Sequence, residues 1–135
     1  MSDTKSANRG KSLENALNKY IQYLETQGIH AHKNHPCRSH DGRYLAGEPF
    51  DYEIFRDGNL IAFDAKECKS DSFKTSNCKL SQIKSLKDIS QHGGEAFFLV
   101  YFAQPKKLVK YTPEQVLKNK SLKPEQGEEI KLYDL

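Results

Sequence analysis

Long hydrophobic runs are missing from this chain of 135 residues. The longest, residues 96–103, falls far short of the ~20 consecutive apolar residues that a membrane-spanning helix needs, so no span is expected. No apolar stretch follows Met1; no secretory signal is visible, and a cytoplasmic setting is the expectation. Cysteine is scarce. Cys37, Cys68 and Cys78 form no Cys-x-x-Cys pair, and their odd number argues against a disulfide framework and for reduced thiols. A strong charge of one sign is also absent, because 21 basic residues face 18 acidic ones. Apolar residues make up only 36%, yet seven Phe, seven Tyr and several Ile/Leu clusters are enough for a small core, which argues against a wholly disordered chain. The length fits one domain, and no repeat or low-complexity segment interrupts it.

What is present is uneven in its charge. Residues 66–87 carry six lysines against Glu67 and Asp71, and residues 1–11 carry Lys5, Arg9 and Lys11 against Asp3. The acids gather towards the end, at Glu125, Glu128, Glu129 and Asp134. Such separation presents a cationic face to a polyanion, or simply solvates exposed helix faces. His30, His32, His35, Cys37 and His40 crowd one short stretch, but their spacing matches no zinc-finger pattern, and a basic loop near phosphates is the better reading.

Residues 1–7 are small and polar, and a flexible tail is expected there. Leu13, Ala16, Leu17, Tyr20, Ile21 and Leu24 then recur at helical spacing, with Asn8 as a plausible cap and Gly28 as the terminator. A short strand over 29–33 and a polar loop over 34–47 follow. Residues 50–56 alternate, Asp57-Gly58 is a two-residue hairpin signal, and 60–65 return as the second strand. A helix over 79–91 turns Ile83, Leu86 and Ile89 inward and stops at Gly93-Gly94. Residues 96–102 read as a buried central strand and 107–111 as another. Thr112-Pro113 opens a short helix, and 129–133 read as a last edge strand. This order predicts an α/β fold with a mixed central β-sheet flanked by helices.

The chemistry concentrates in the hairpin. A turn at 57–58 brings Asp51, at the start of its first strand, towards Asp64 near the end of its second. Lys66 stands two residues beyond Asp64, on the same strand face. Two carboxylates offer oxygen ligands to Mg²⁺, and a lysine beside them can stabilise charge growing on a phosphoryl group, a set suited to phosphodiester hydrolysis. Two Asp and a Lys on a hairpin also occur merely for solubility, so the hairpin alone leaves both readings open.

Four segments together carry a resemblance. Asn8-Arg9-Gly10-Lys11 precedes Leu13-Glu14 on the first helix. Phe50-Asp51-Tyr52-Glu53 forms an acidic strand. Phe63-Asp64-Ala65-Lys66-Glu67 is followed by Lys69 and Ser72-Phe73. Gln82 lies on the second helix, ahead of Gly93-Gly94 and the apolar strand ending at Phe102. In this combination the chain resembles the RecU-type Holliday junction resolvases of the PD-(D/E)-x-K nuclease superfamily, in a compact, phage-like form. The resemblance implies a restriction-endonuclease-like core over residues 8–135, a Mg²⁺ or Mn²⁺ cofactor, and cleavage of four-way DNA junctions in recombination and repair. It implies a homodimer, whose paired nicks would follow from twofold symmetry. The apolar hairpin face and the strand near Phe97 to Tyr101 are the candidate dimer contacts.

The resemblance also assigns roles. Asp51 and Asp64 become metal ligands with Gln82 beside them, Lys66 the transition-state stabiliser, and Glu14 an aid to a ligand or water. Arg9, Lys11, Lys33, Arg38, Arg43 and Lys69 become DNA-backbone contacts. From the residues alone, Glu14 reads equally well as a surface pair or cap, Gln82 as a solvated helix residue, and Arg9 and Lys11 as surface charges. Two departures stand out: Asp64 replaces the family's usual glutamate, and the segment between Lys33 and Asp51 is shorter than the family's protruding stalk. A different nuclease of the superfamily acting on linear or branched duplex, or an inactive DNA-binding accessory protein, are the alternatives.

Overall fold

The computed structural model describes the backbone of residues 2–34, 37–38, 44–45 and 50–135, and the side chains of 12–34 and 50–135. It opens with helix α1 (Ser2–Thr26). Asn8 therefore lies inside this helix rather than capping it, because the residues before it are helical as well. Gly28 does end the turn that follows, at a φ of 78° that a side chain would resist.

Strands β1 (His30–Lys33), β2 (Cys37–Arg38) and β3 (Tyr44–Leu45) come next. The segment read as a polar loop thus contains a two-stranded ribbon, β2 against β3, too short for an alternation pattern to reveal. Then comes the hairpin of β4 (Tyr52–Arg56) and β5 (Asn59–Cys68). Its turn holds Asp57 at φ 54° and Gly58 at φ 78°, the left-handed pair that a two-residue hairpin demands. Strand β5 runs beyond the expected end because Ala65 to Cys68 continue to pair with their neighbour strand.

Strand β6 (Phe73–Lys74), helix α2 (Leu80–Gln91), strands β7 (Glu95–Phe102) and β8 (Lys107–Tyr111), helix α3 (Pro113–Lys118), strand β9 (Ser121–Leu122) and strand β10 (Glu128–Ile130) complete the chain. Thr112 caps α3, its hydroxyl accepting from the Gln115 amide at 3.1 Å. The last strand is shorter than expected, since Leu132–Asp134 form a 3₁₀ turn.

The main sheet runs β1-β4-β5-β7-β8-β10 from edge to edge. Only β5 and β7 pair in parallel, with α2 between them in the chain; the other neighbours are antiparallel. The predicted mixed sheet with flanking helices is what folds. Alternation along β7 explains the two cores. Phe97 and Leu99 join Leu17, Leu24, Ile54 and Phe63 under α1, while Phe98, Val100 and Phe102 join Leu86, Tyr111 and Leu122 under α2. Tyr52, Phe63 and Phe97 stack across three adjacent strands, with ring centroids 5.2 and 5.1 Å apart. Of the stretch Phe97 to Tyr101, Phe97 to Val100 are buried within one chain, and Tyr101 alone is half-exposed. Among the described residues, no helix is long and apolar enough to cross a membrane.

Candidate active site

The hairpin register builds the site. Tyr52 pairs with Phe63 in the β4–β5 ladder, so the next position outward sets Asp51 opposite Asp64. Asp51 sits in a bend just before β4 rather than in the strand, and its Oδ2 accepts from the Ala65 amide at 3.1 Å. Asp64 alternates onto the α2 face with Ala62 and is fully buried. Lys66 follows two residues later, and its Nζ lies 3.0 Å from Asp64 Oδ2. The three groups that the sequence placed together are together.

Asn34 and Asp64 are the two polar residues buried among those described. Asn34 works as a clamp beside Asp51. Its amide donates to the Asp51 carbonyl at 2.7 Å, and its side-chain Nδ2 donates to the Phe50 carbonyl at 3.2 Å. The bend that aims Asp51 is thereby tied to the end of β1. Sequence reasoning missed Asn34, since one Asn after a short strand carries no pattern of its own.

Helix α2 reaches the site through Gln82. Its Oε1 accepts from the Lys79 amide at 3.0 Å, and its Nε2 donates to Asp64 Oδ1 at 3.4 Å. A free, solvated Gln82 is therefore not what the fold makes. Glu14 arrives from α1, where its carboxylate pairs with the Lys33 ammonium. That ammonium also stands 5.9 Å from the centre of the Tyr52 ring. Glu14, Lys33, Asp51, Tyr52, Lys66, Glu67 and Lys69 all line one cavity of about 410 Å³. Tyr52 and Glu67 were not expected there as site residues; the alternation that buries Tyr52 and turns Glu67 towards α1 is visible only once the register is known. Arg9, Lys11, Arg38 and Arg43 have side chains outside the described residues, as do His35, Cys37 and His40 of the histidine-rich stretch.

The electrostatics are those of a crowded anionic pair. Burial, the contact with the Asp51 carboxyl and then its charge push Asp64 up to about 7, against the pull of Lys66. Asp64 Oδ2 is buried with no aligned hydrogen-bond donor, although the Lys66 ammonium is near. Burial and the surrounding carboxylates of Glu14, Asp51 and Asp64 hold the Tyr52 phenol far above its ordinary range, so it stays neutral. Cys78 feels Lys66 and Asp64, and burial pushes its thiol up to about 11, which argues against a nucleophilic thiolate.

A divalent cation fits this setting. Two facing carboxylates, one with an oxygen short of donors, are hard ligands that lose their mutual repulsion when such an ion binds. Among the described residues no three His, Cys, Asp or Glu side chains gather into a fuller cluster. Further ligands would come from backbone carbonyls, the Gln82 amide or water, as suits an ion that keeps several waters.

Comparison with known proteins agrees with this geometry. The family model described as RecU, Recombination protein U, matches residues 8–134. The Holliday junction resolvase RecU of Bacillus cereus (strain B4264) is 34% identical over 112 residues, which cover 71% of this chain and 56% of that protein. The protein of the same name from Bacillus mycoides (strain KBAB4) gives the same identity and coverage. The chain thus spans little more than half the length of these relatives. Among solved structures, Hjc of Archaeoglobus fulgidus, a Holliday junction resolvase, aligns with a TM-score of 0.53 at 13% identity, covering 83% of this chain and 91% of that one. That likeness concerns the fold. With the family model matching from the first helix to the last 3₁₀ turn, around the Asp51, Asp64 and Lys66 just described, the chain belongs to the RecU family.

Proposed function

We propose that this chain is a cytoplasmic, divalent-cation-dependent endonuclease that resolves four-way DNA junctions. The observation that carries the reading is the buried Asp64, facing Asp51 and 3.0 Å from Lys66, two residues that line an open cavity. Asp51 and Asp64 would hold Mg²⁺ or Mn²⁺, with Gln82 steadying Asp64. A cation held there would polarise a phosphoryl oxygen and offset the charge of the pentacovalent transition state. Lys66 would release Asp64 to the cation and turn its ammonium towards the scissile phosphate. Glu14 would orient a water or ligand, and its partner Lys33 would meet the incoming backbone. Arg9, Lys11, Arg38, Arg43 and Lys69 would bind phosphates without reading bases. Two copies acting as a homodimer would match the pseudo-symmetry of a junction and cut opposing strands as paired nicks.

A second reading has one observation behind it. By the resemblance, the segment between Lys33 and Asp51 is short beside the family's stalk, which would favour a nuclease less strict about junctions. One experiment separates the two readings. A synthetic four-way junction and a linear duplex of the same sequence are incubated with the protein while Mg²⁺ is titrated. Symmetric nicks in the junction alone, abolished by chelation, support the resolvase; equal cutting of the duplex supports the broader nuclease. Cutting that persists under chelation would reject the metal-dependent assignment.

A further inference from the structure

Some of the described lysines pair with carboxylates, and among the exposed ones that do not, three lie together. Lys33, Lys66, Lys107 and Lys110 each pair with a carboxylate: Glu14, Asp64, Glu129 and Glu95 respectively. Lys74, Lys79 and Lys120 are exposed, and among the described residues no carboxylate pairs with them. These three are neighbours in space although one is far away in sequence. Strand β6 pairs with β9, setting Lys74 across from Ser121, and the Thr75 amide donates to the Lys120 carbonyl at 3.0 Å. The Thr75 hydroxyl adds a bond of 2.6 Å to the Asn119 carbonyl. The 3₁₀ turn Thr75–Asn77 then leads directly to Lys79.

The ridge so formed is rigid and leads to the active centre. Phe73 and Leu122 anchor its underside in the α2 core. The Lys79 amide is held by Gln82, whose other end reaches Asp64. Leu80, 75% exposed beside Lys79, gives the ridge an apolar shoulder suited to a deoxyribose. Unpaired cations on an anchored ribbon differ from a solvated helix face: the backbone beneath them is fixed, so less order has to be gained when a polyanion binds.

We propose that Lys74, Lys79 and Lys120 form a phosphate-binding ridge that carries the backbone of a duplex DNA arm leading away from the Asp51–Asp64 centre. This inference rests on the nuclease reading of that centre and adds to it a track for the substrate, independent of base sequence. Lys123, exposed just past β9, extends the same side.

The test is the salt dependence of binding, followed by anisotropy of a labelled four-way junction in chelator, where no metal-dependent cutting can occur. The ridge variant Lys74→Gln/Lys79→Gln/Lys120→Gln is set against Lys107→Gln/Lys110→Gln/Lys131→Gln, which removes the same charge elsewhere. Each lost phosphate contact flattens the plot of log affinity against log salt by about 0.9. The ridge variant is expected to lose at least about tenfold in affinity and two to three contacts' worth of slope, while the control changes by less than one. An equal loss in both variants, or no loss in the ridge variant, would overturn the ridge while leaving the nuclease centre standing. If the unaltered protein binds no DNA at low salt, both the ridge and the nuclease reading fail. Circular dichroism of each variant checks that the exposed substitutions leave the fold intact.

Discussion

Two lysine–carboxylate pairs in the same sheet set the two halves of the molecule apart. At one end Lys66 lies 3.0 Å from Asp64; at the other Lys110 lies 2.7 Å from Glu95. By distance alone the second is the better pair. Their settings are opposite, however. Asp64 is fully buried and faces another carboxylate, whereas the Glu95 side chain is 53% exposed and has water around it. Burial sets the first pair apart: its acid is lifted to about 7, while the second is an ordinary surface contact.

The largest effect expected from this contrast is on cleavage. Lys66→Met or Asp64→Asn should slow Mg²⁺-dependent cutting of a junction by about 10²–10³-fold or more, the scale of removing one transition-state contact. Lys110→Met should leave the rate unchanged, and single-turnover assays of the three variants make the comparison directly.

The next effect is on pH and stability. The fold favours protonated Asp64, so this group's contribution is fully present below about pH 4 and is lost as pH rises to about 7. In chelator, Asp64→Asn should therefore stabilise the protein at pH 8 by ~2–4 kcal/mol and change it little at pH 4. Urea midpoints at the two pH values read this out. The same difference between variant and unaltered protein at both pH values would mean that Asp64 is not strained by its site.

Asn34→Ala comes third. It should cost ~1–3 kcal/mol by leaving the Phe50 carbonyl without its donor, and it should also weaken divalent-cation binding by loosening Asp51. A drop in stability with unchanged cation affinity would reduce Asn34 to a structural role. Smallest is Lys110→Met, at no more than ~1 kcal/mol, since an exposed ion pair and one stacked ammonium are all it removes.

The same contrast explains how much was legible beforehand. The hairpin could be read because Asp57-Gly58 fixes its turn, and a fixed turn fixes which residues face one another; Asp51, Asp64 and Lys66 follow from that count. The mixed sheet followed from the order of its elements. The β6–β9 ribbon could not be read, since each strand has two residues and its partner is distant in the chain. Asn34 and Tyr52 were invisible as site residues for a related reason: their importance lies in which carbonyl or carboxylate stands nearby, and only tertiary packing supplies that. Glu14 was half legible, its place on the cavity foreseen but not the Lys33 ammonium that holds it.

The central claim is that Asp51 and Asp64 together bind one divalent ion. Calorimetric titration of Mn²⁺ at pH 8 into the unaltered protein and into Asp51→Asn and Asp64→Asn tests it without relying on DNA. Saturable binding by the unaltered protein, weakened at least about tenfold in both variants, is the expected result. Equal affinity in all three proteins would contradict it.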